Sequence, residues 1–214
     1  MNVTRYIDHN PHVANGVEGL KEYVRRGPSK GHDLELVRAF QDGSYVFTQA
    51  KGDMLGKNVF FDIFRFDDAF IDEHWIVSTE AAPPNQSGHT QTDRPTEAKH
   101  DQDTEKNRSI VRDYYKTIHI SGEHSKIPQY FHGDHCIRYE PGVRDGVAAF
   151  TSDLKRLVQN RSIDEIKFLF AQGDFVFIAA KGSVDGEPCV YVDLYRIEDN
   201  KIAERWGFSE RIPA

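Results

Sequence analysis

The 214-residue chain carries 27 Lys and Arg against 34 Asp and Glu, a formal net charge of -7, with 38% hydrophobic and 12% aromatic residues. That composition can fill packed cores under a charged surface. An acidic balance without a run of Lys or Arg excludes the basic patch that phosphate groups need, so no nucleic-acid or membrane-surface partner is expected.

The chain opens on a polar segment, Met1 to Asn10, with no apolar run of a signal peptide, and no later stretch approaches about 18 apolar residues. A cytoplasmic location is the expectation. The hydrophobic pattern predicts a short first strand, a helix over Val17 to Val24, and strands over Leu34 to Gln41, Tyr45 to Lys51, Val59 to Phe66 and Phe70 to Ser78. Strands joined by short turns in this order make an antiparallel meander, and with helices on one face the class is α+β. Residues 81–104 contain Pro83, Pro84, Pro95 and many small polar residues, and read as a linker or a surface-wrapping arm. Ile110, Val111, Tyr114, Tyr115 and Ile118 then recur at helical spacing over Glu105 to Ile118, with Thr104 placed to cap the start.

The second half of the chain repeats the first. Ile7, Val13, Gly16 and Val17 recur as Ile137, Val143, Gly146 and Val147, and Pro11 as Pro141, each 130 positions on. Phe40, Gly43, Val46, Phe47, Ala50, Lys51 and Gly52 keep that offset. After one inserted residue Asp62, Arg65, Asp68, Ile71, Glu73 and Trp75 match Asp193, Arg196, Asp199, Ile202, Glu204 and Trp206. A constant offset of this kind means two copies of one folding unit. Nothing in the first copy corresponds to the helical residues 105–135, so the expected domains are 1–82, lacking its N-terminal helices, and a complete domain over 105–214, with 83–104 between them.

The run Tyr6-Ile7-Asp8-His9-Asn10-Pro11-His12-Val13, then Gly16, Asp62-Ile63-Phe64-Arg65 and Glu73-His74-Trp75, closely resembles a bacterial SnoaL-like polyketide cyclase family, whose fold is shared with nuclear transport factor 2. The resemblance implies two cone-shaped, cystatin-like domains, each a curved antiparallel sheet with helices on one face and a pocket between them. Its best-known members use a carboxylate and a histidine for acid–base ring closure or aldol-type chemistry. Other members are isomerases, dehydratases or binding modules, so fold alone does not give the reaction. Many relatives place an acidic residue directly after the tryptophan, where this chain has Ile76 and Gly207.

The candidate site comes from strand register. A three-residue loop, Asp67-Asp68-Ala69, sets Asp62 opposite His74, and in the second copy Asp193 opposite Arg205; a two-residue loop sets Asp62 opposite Trp75 instead and turns His74 to the other face. Under the first register Asp62 and His74 lie beside Phe60, Phe64 and Ile76. A carboxylate next to an imidazole can pass a proton near neutral pH, whereas the same pair on an exposed sheet face is a plain cross-strand ion pair. An Arg at 205 keeps an ion pair but cannot shuttle protons, and Tyr139 and Glu140 replace His9 and Asn10, so ligand binding is expected in the first copy. His9 is the further catalytic candidate, and Asn10 and Trp75 join the lining.

His9 and His12 do not share a helical face, and Cys136 and Cys189 have no C-x-x-C spacing, so no metal, cofactor or disulfide is expected. Two function classes stay open: a lyase- or isomerase-like enzyme acting on a small molecule, and a non-catalytic ligand-binding or dimerisation module. The first copy, without a counterpart of the helical segment 105–135, is expected to find cover in an intrachain pseudo-dimer or in a homodimer.

Overall fold

A computed structural model describes residues 5–10, 12–26, 33–53, 57–93, 95–157 and 159–212. Pro11, part of the repeat, lies outside them. The chain divides into two compact units, Met1–Ala81 and Ala82–Ala214.

Unit 1 runs β1 (Ile7–Asp8), α1 (Val17–Arg26), β2 (Leu34–Asp42), β3 (Tyr45–Asp53), β4 (Lys57–Asp67) and β5 (Phe70–Glu80). The last four strands form the expected meander, and β1 pairs parallel with β5, giving a mixed sheet of order β1-β5-β4-β3-β2. Alternation decides the two faces. One carries the buried Phe47, Phe61 and Ile63, with Phe40 against Phe47 and Phe47 edge-on to Phe61. The other carries Thr48, Phe60, Asp62, Phe64, His74 and Ile76.

Unit 2 repeats the frame. After α2 (Thr104–Tyr114), a π-helical turn over Tyr115–Ile120 and a 3-10 turn over His124–Tyr130 come β6 (Ile137–Arg138), α3 (Val147–Leu157) and β7 to β10 (Arg161–Gln172, Phe175–Val184, Glu187–Glu198, Lys201–Arg211). The order β6-β10-β9-β8-β7 is that of unit 1, with β6 parallel to β10. Tyr114, Tyr115 and Ile118 are fully buried against Val176, Ile178, Tyr191 and Tyr195, the face that corresponds to the Asp62 side of unit 1. Among the described residues unit 1 has no counterpart of α2 or of the two turns after it. The α+β, two-domain architecture expected from the sequence is the one observed, with each antiparallel meander extended by one parallel strand.

The helix cap differs from the expectation. Asp103, not Thr104, is the N-cap and accepts from the Lys106 amide, because Thr104 Oγ1 is engaged by the Gly173 amide at 2.9 Å. The polar segment before it has partners in unit 2. Asn85 Nδ2 donates to the carbonyl of Arg138 at 2.7 Å, the Lys99 amide donates to Asp174 at 2.7 Å, and Trp206 Nε1 donates to the carbonyl of Asp93 at 3.3 Å. Gly173 has a φ of +58°, and a Cβ there would stand 2.3 Å from the Lys99 carbonyl oxygen, so the turn accepts this segment only as glycine. Cys136 and Cys189 are free and buried. No helix among the described residues is long and apolar enough to cross a membrane.

Each of these hydrogen bonds contributes about 1 kcal/mol. A fragment of residues 82–214 should therefore unfold cooperatively in urea and be about 2–4 kcal/mol more stable than one beginning at Glu105. Equal midpoints for the two would show that the segment does not support the fold.

Candidate functional site

The β4–β5 turn is shorter than expected, and the strand compensates. Asp68 and Ala69 have φ values of 46° and 67°, the pattern of a two-residue type I′ turn, and Asp67 pairs with Phe70. One extra residue on β5, at Asp72, then shifts the register between the Phe66–Ile71 and Arg65–Glu73 pairs. Asp62 consequently stands opposite Ile76, and His74 opposite Phe64. The expected Asp62–His74 pairing is thus wrong by two positions. Two is a full pleat, so the face is preserved and the side chains meet on the diagonal, His74 Nε2 lying 3.0 Å from Asp62 Oδ1. The Phe64 ring stacks on the imidazole at 4.6 Å and 4°.

A second carboxylate reaches the ring from β1. Parallel pairing puts Asp8 beside His74, with Asp8 Oδ2 3.5 Å from Nδ1. The Tyr6 hydroxyl donates to the same oxygen at 2.6 Å, the Asn10 amide donates to Asp8 Oδ1 at 3.0 Å, and Thr48 donates weakly to Asp62 at 3.4 Å. Burial works against charge on the imidazole, but hydrogen bonds and attraction from Asp62 and then Asp8 outweigh it and raise its pKa to about 9. Burial likewise works against charge on Asp8, yet hydrogen bonds from His74 and Tyr6 hold its carboxyl below its ordinary value. Asp62 and His74 side chains are each 13% exposed, so solvent-sized groups can reach them.

Asp8 and Tyr6 were absent from the candidates read from sequence. The signal for Asp8 was its place in the Tyr6-Ile7-Asp8 run. Without the parallel pairing of β1 to β5, nothing in the spacing connects position 8 with position 74.

His9 and Trp75 lie on the opposite side of the sheet. Their rings stack at 4.6 Å and 4°, and His9 Nε2 is 2.8 Å from Glu73, which Arg65 also grips at 2.8 Å. Unit 2 has the same cluster with Tyr139 stacked on Trp206, its hydroxyl 2.5 Å from Glu204, and Arg196 Nε on the other carboxylate oxygen at 2.5 Å. The structure therefore brings together Asp62, His74, Phe60, Phe64 and Ile76, and separates them from His9 and Trp75. Asn10 is buried, holding the Asp8 carboxylate through its amide and the His12 amide through its side chain. A depression of about 890 Å³ opens by the β4–β5 turn between Tyr6, Ser44, Arg65 and Asp72, and Tyr6 alone joins it to the Asp8 cluster.

At the equivalent place in unit 2 the charges are rearranged. Arg205 Nη2 is 2.6 Å from Asp193, and Glu140 lies between Arg205 and Arg138, with Arg138 also 2.7 Å from Asp153. Tyr115 donates to Asp193 at 3.1 Å. Burial works against charge on both partners, raising Asp193 and lowering Arg205. Gly207, where unit 1 has Ile76, makes the room: a Cβ there would stand 2.2 Å from Asp193 Oδ1. Among the described residues no group of three His, Cys, Asp or Glu side chains is arranged to hold a metal ion.

No family model and no curated protein matches the chain. Solved structures do. A polyketide cyclase candidate from Acidithiobacillus ferrooxidans is 19% identical, with 50% of this chain and 89% of that one aligned at a TM-score of 0.43. A ketosteroid isomerase candidate from Kribbella flavida is 18% identical over 53% and 84%, TM-score 0.47. A protein of unknown function with a cystatin-like fold from Xanthomonas campestris is 26% identical over 48% and 89%, TM-score 0.42. Each spans about half of this chain, and the resemblance read from the sequence is to proteins of these same kinds.

The geometry carries two expected outcomes. His74 has a folded-state pKa above its unfolded value near 6.5, so its stabilisation is fully present below that pH and is lost as pH rises through about 9. His74→Gln should flatten the fall in chemical-denaturation stability between those limits, and an unchanged slope would contradict the bracketed imidazole. Gly207→Ala should destabilise unit 2 by about 1–3 kcal/mol through overpacking against Asp193, read as a lower urea midpoint.

Proposed function

We propose that the Asp62–His74 face of unit 1 is a small-molecule site with acid–base chemistry of the cyclase, isomerase or dehydratase type. The observation that supports this reading is an imidazole held between two carboxylates on a partly open sheet face lined by Phe60, Phe64 and Ile76. Both ring nitrogens face carboxylates, so His74 serves as the fixed positive charge and Asp62 as the proton acceptor. A proton leaving a carbon beside a carbonyl group would pass to Asp62. The imidazolium alongside would stabilise the negative charge that develops on the ligand. The apolar rings suit a carbon skeleton, and placing it against them also strengthens the electrostatics by displacing water. In this reading His9, Trp75 and Asn10 act from outside the reacting centre: His9 and Trp75 brace β1 against β5, and Asn10 orients Asp8.

A non-catalytic ligand-binding or dimerisation module is the second reading, favoured by Ile76 in the position where many relatives of the resembled family carry an acid. Thermal shift against a panel of apolar ketones separates binding from none, and hydrogen–deuterium exchange at the ketone α-carbon separates chemistry from binding. Asp62→Asn should weaken ketone binding about tenfold or more and abolish exchange, whereas Asp193→Asn should lower the melting temperature and leave binding alone. Equal loss of binding from both variants would overturn the assignment to unit 1.

A further inference from the structure

We infer that Asp8 is a positioning residue for this site: it grips the Nδ1 side of His74, fixing the ring's orientation and its protonated form, so that Asp62 is left as the group that exchanges protons with a ligand. The inference rests on the proposed function for its consequence, though not for its test. Its first support is geometric. The Asp8 side chain is 1% exposed, and its oxygens receive the Tyr6 hydroxyl at 2.6 Å, the Asn10 amide at 3.0 Å and His74 Nδ1 at 3.5 Å. A buried carboxylate is costly without a positive partner, and the cation the structure gives it is His74.

The second support is the duplication. Position 8 and position 74 are paired by strand register, and so are positions 138 and 205. Both members of the pair change together, from Asp8 with His74 to Arg138 with Arg205, and Glu140 then enters between the two cations. A residue that only closed the end of a strand would have no reason to change its charge in step with its neighbour across the register.

Among the described residues, the groups that face the imidazole are Asp8 and Tyr6 from the β1 segment, Asp62 from β4, and the uncharged Phe64. Asp8, Asp62 and protonated His74 together carry one negative charge. The site should accordingly favour an uncharged carbonyl compound over a carboxylate, since an anion would meet net repulsion.

The test uses the full chain, 15N-labelled at histidine, with the His74 ring nitrogens followed by NMR through a pH titration and without any ligand. Asp8→Asn should lower the His74 midpoint by about 1–3 pH units and leave a mixture of tautomers in the neutral ring. Asp8→Glu should recover most of that change. An unchanged midpoint in folded Asp8→Asn would overturn the inference. If that variant does not fold, Tyr6→Phe decides: it keeps the carboxylate and removes a competing donor, so the midpoint should hold or rise, and a fall would overturn the inference. A normal titration result with no ketone binding would overturn the proposed function alone and leave the positioning role of Asp8 standing.

Discussion

The extra residue at Asp72 in β5, and its counterpart Ala203 in β10, governs which side chains meet in each unit. A two-residue turn closes the hairpin with both of its residues in the left-handed region, and alone it would have placed Asp62 across from Trp75. The bulge restores the parity of the pleat, so His74 returns to the Asp62 face and Trp75 stays on the other. Without it the imidazole would turn to the face that carries Ile63 and Arg65, away from the carboxylate at position 62. The same bulge in unit 2 sets Arg205 against Asp193.

Given that register, the two units share a frame and differ in charge. The cluster on one face is common to both: an aromatic ring stacked on tryptophan, bonded to a glutamate that an arginine grips, through His9, Trp75, Glu73 and Arg65 or Tyr139, Trp206, Glu204 and Arg196. That identity across a change from His to Tyr argues for a bracing role, because Tyr reproduces both the stacking and the hydrogen bond. The opposite face is where the units part. Unit 2 fills it with Tyr114, Tyr115 and Ile118 and balances two arginines with Glu140 and Asp193. In unit 1 the corresponding face keeps a single imidazole between two carboxylates.

Electrostatics at the unit 1 site follow from partial burial. Complete burial would strip charge from the imidazole, and full exposure would screen the carboxylates that hold its proton. At 13% exposure the attraction wins, and the ring stays charged across the neutral range. Asp8 shows the same balance with opposite sign: its carboxylate remains ionised in a buried place because three donors converge on it.

The sequence by itself determined the duplication, the α+β class and the meander, because a constant offset and a two-residue hydrophobic period are local signals that no tertiary contact has to supply. It also determined that Phe60, Asp62 and Phe64 share one face of their strand and His74 and Ile76 one face of theirs, because alternation along a single strand is local; that the two sets meet was settled by the bulge. Tertiary structure decided the rest. The bulge at Asp72 was illegible because a type I turn with a bulge and a type I′ turn accept the same Asp-Asp-Ala letters, and the choice depends on how β5 packs. The role of Asp8 was illegible for a stronger reason: a two-residue strand has no periodicity of its own, and its parallel docking, 66 residues away in sequence from His74, is a long-range contact that only the folded sheet can make.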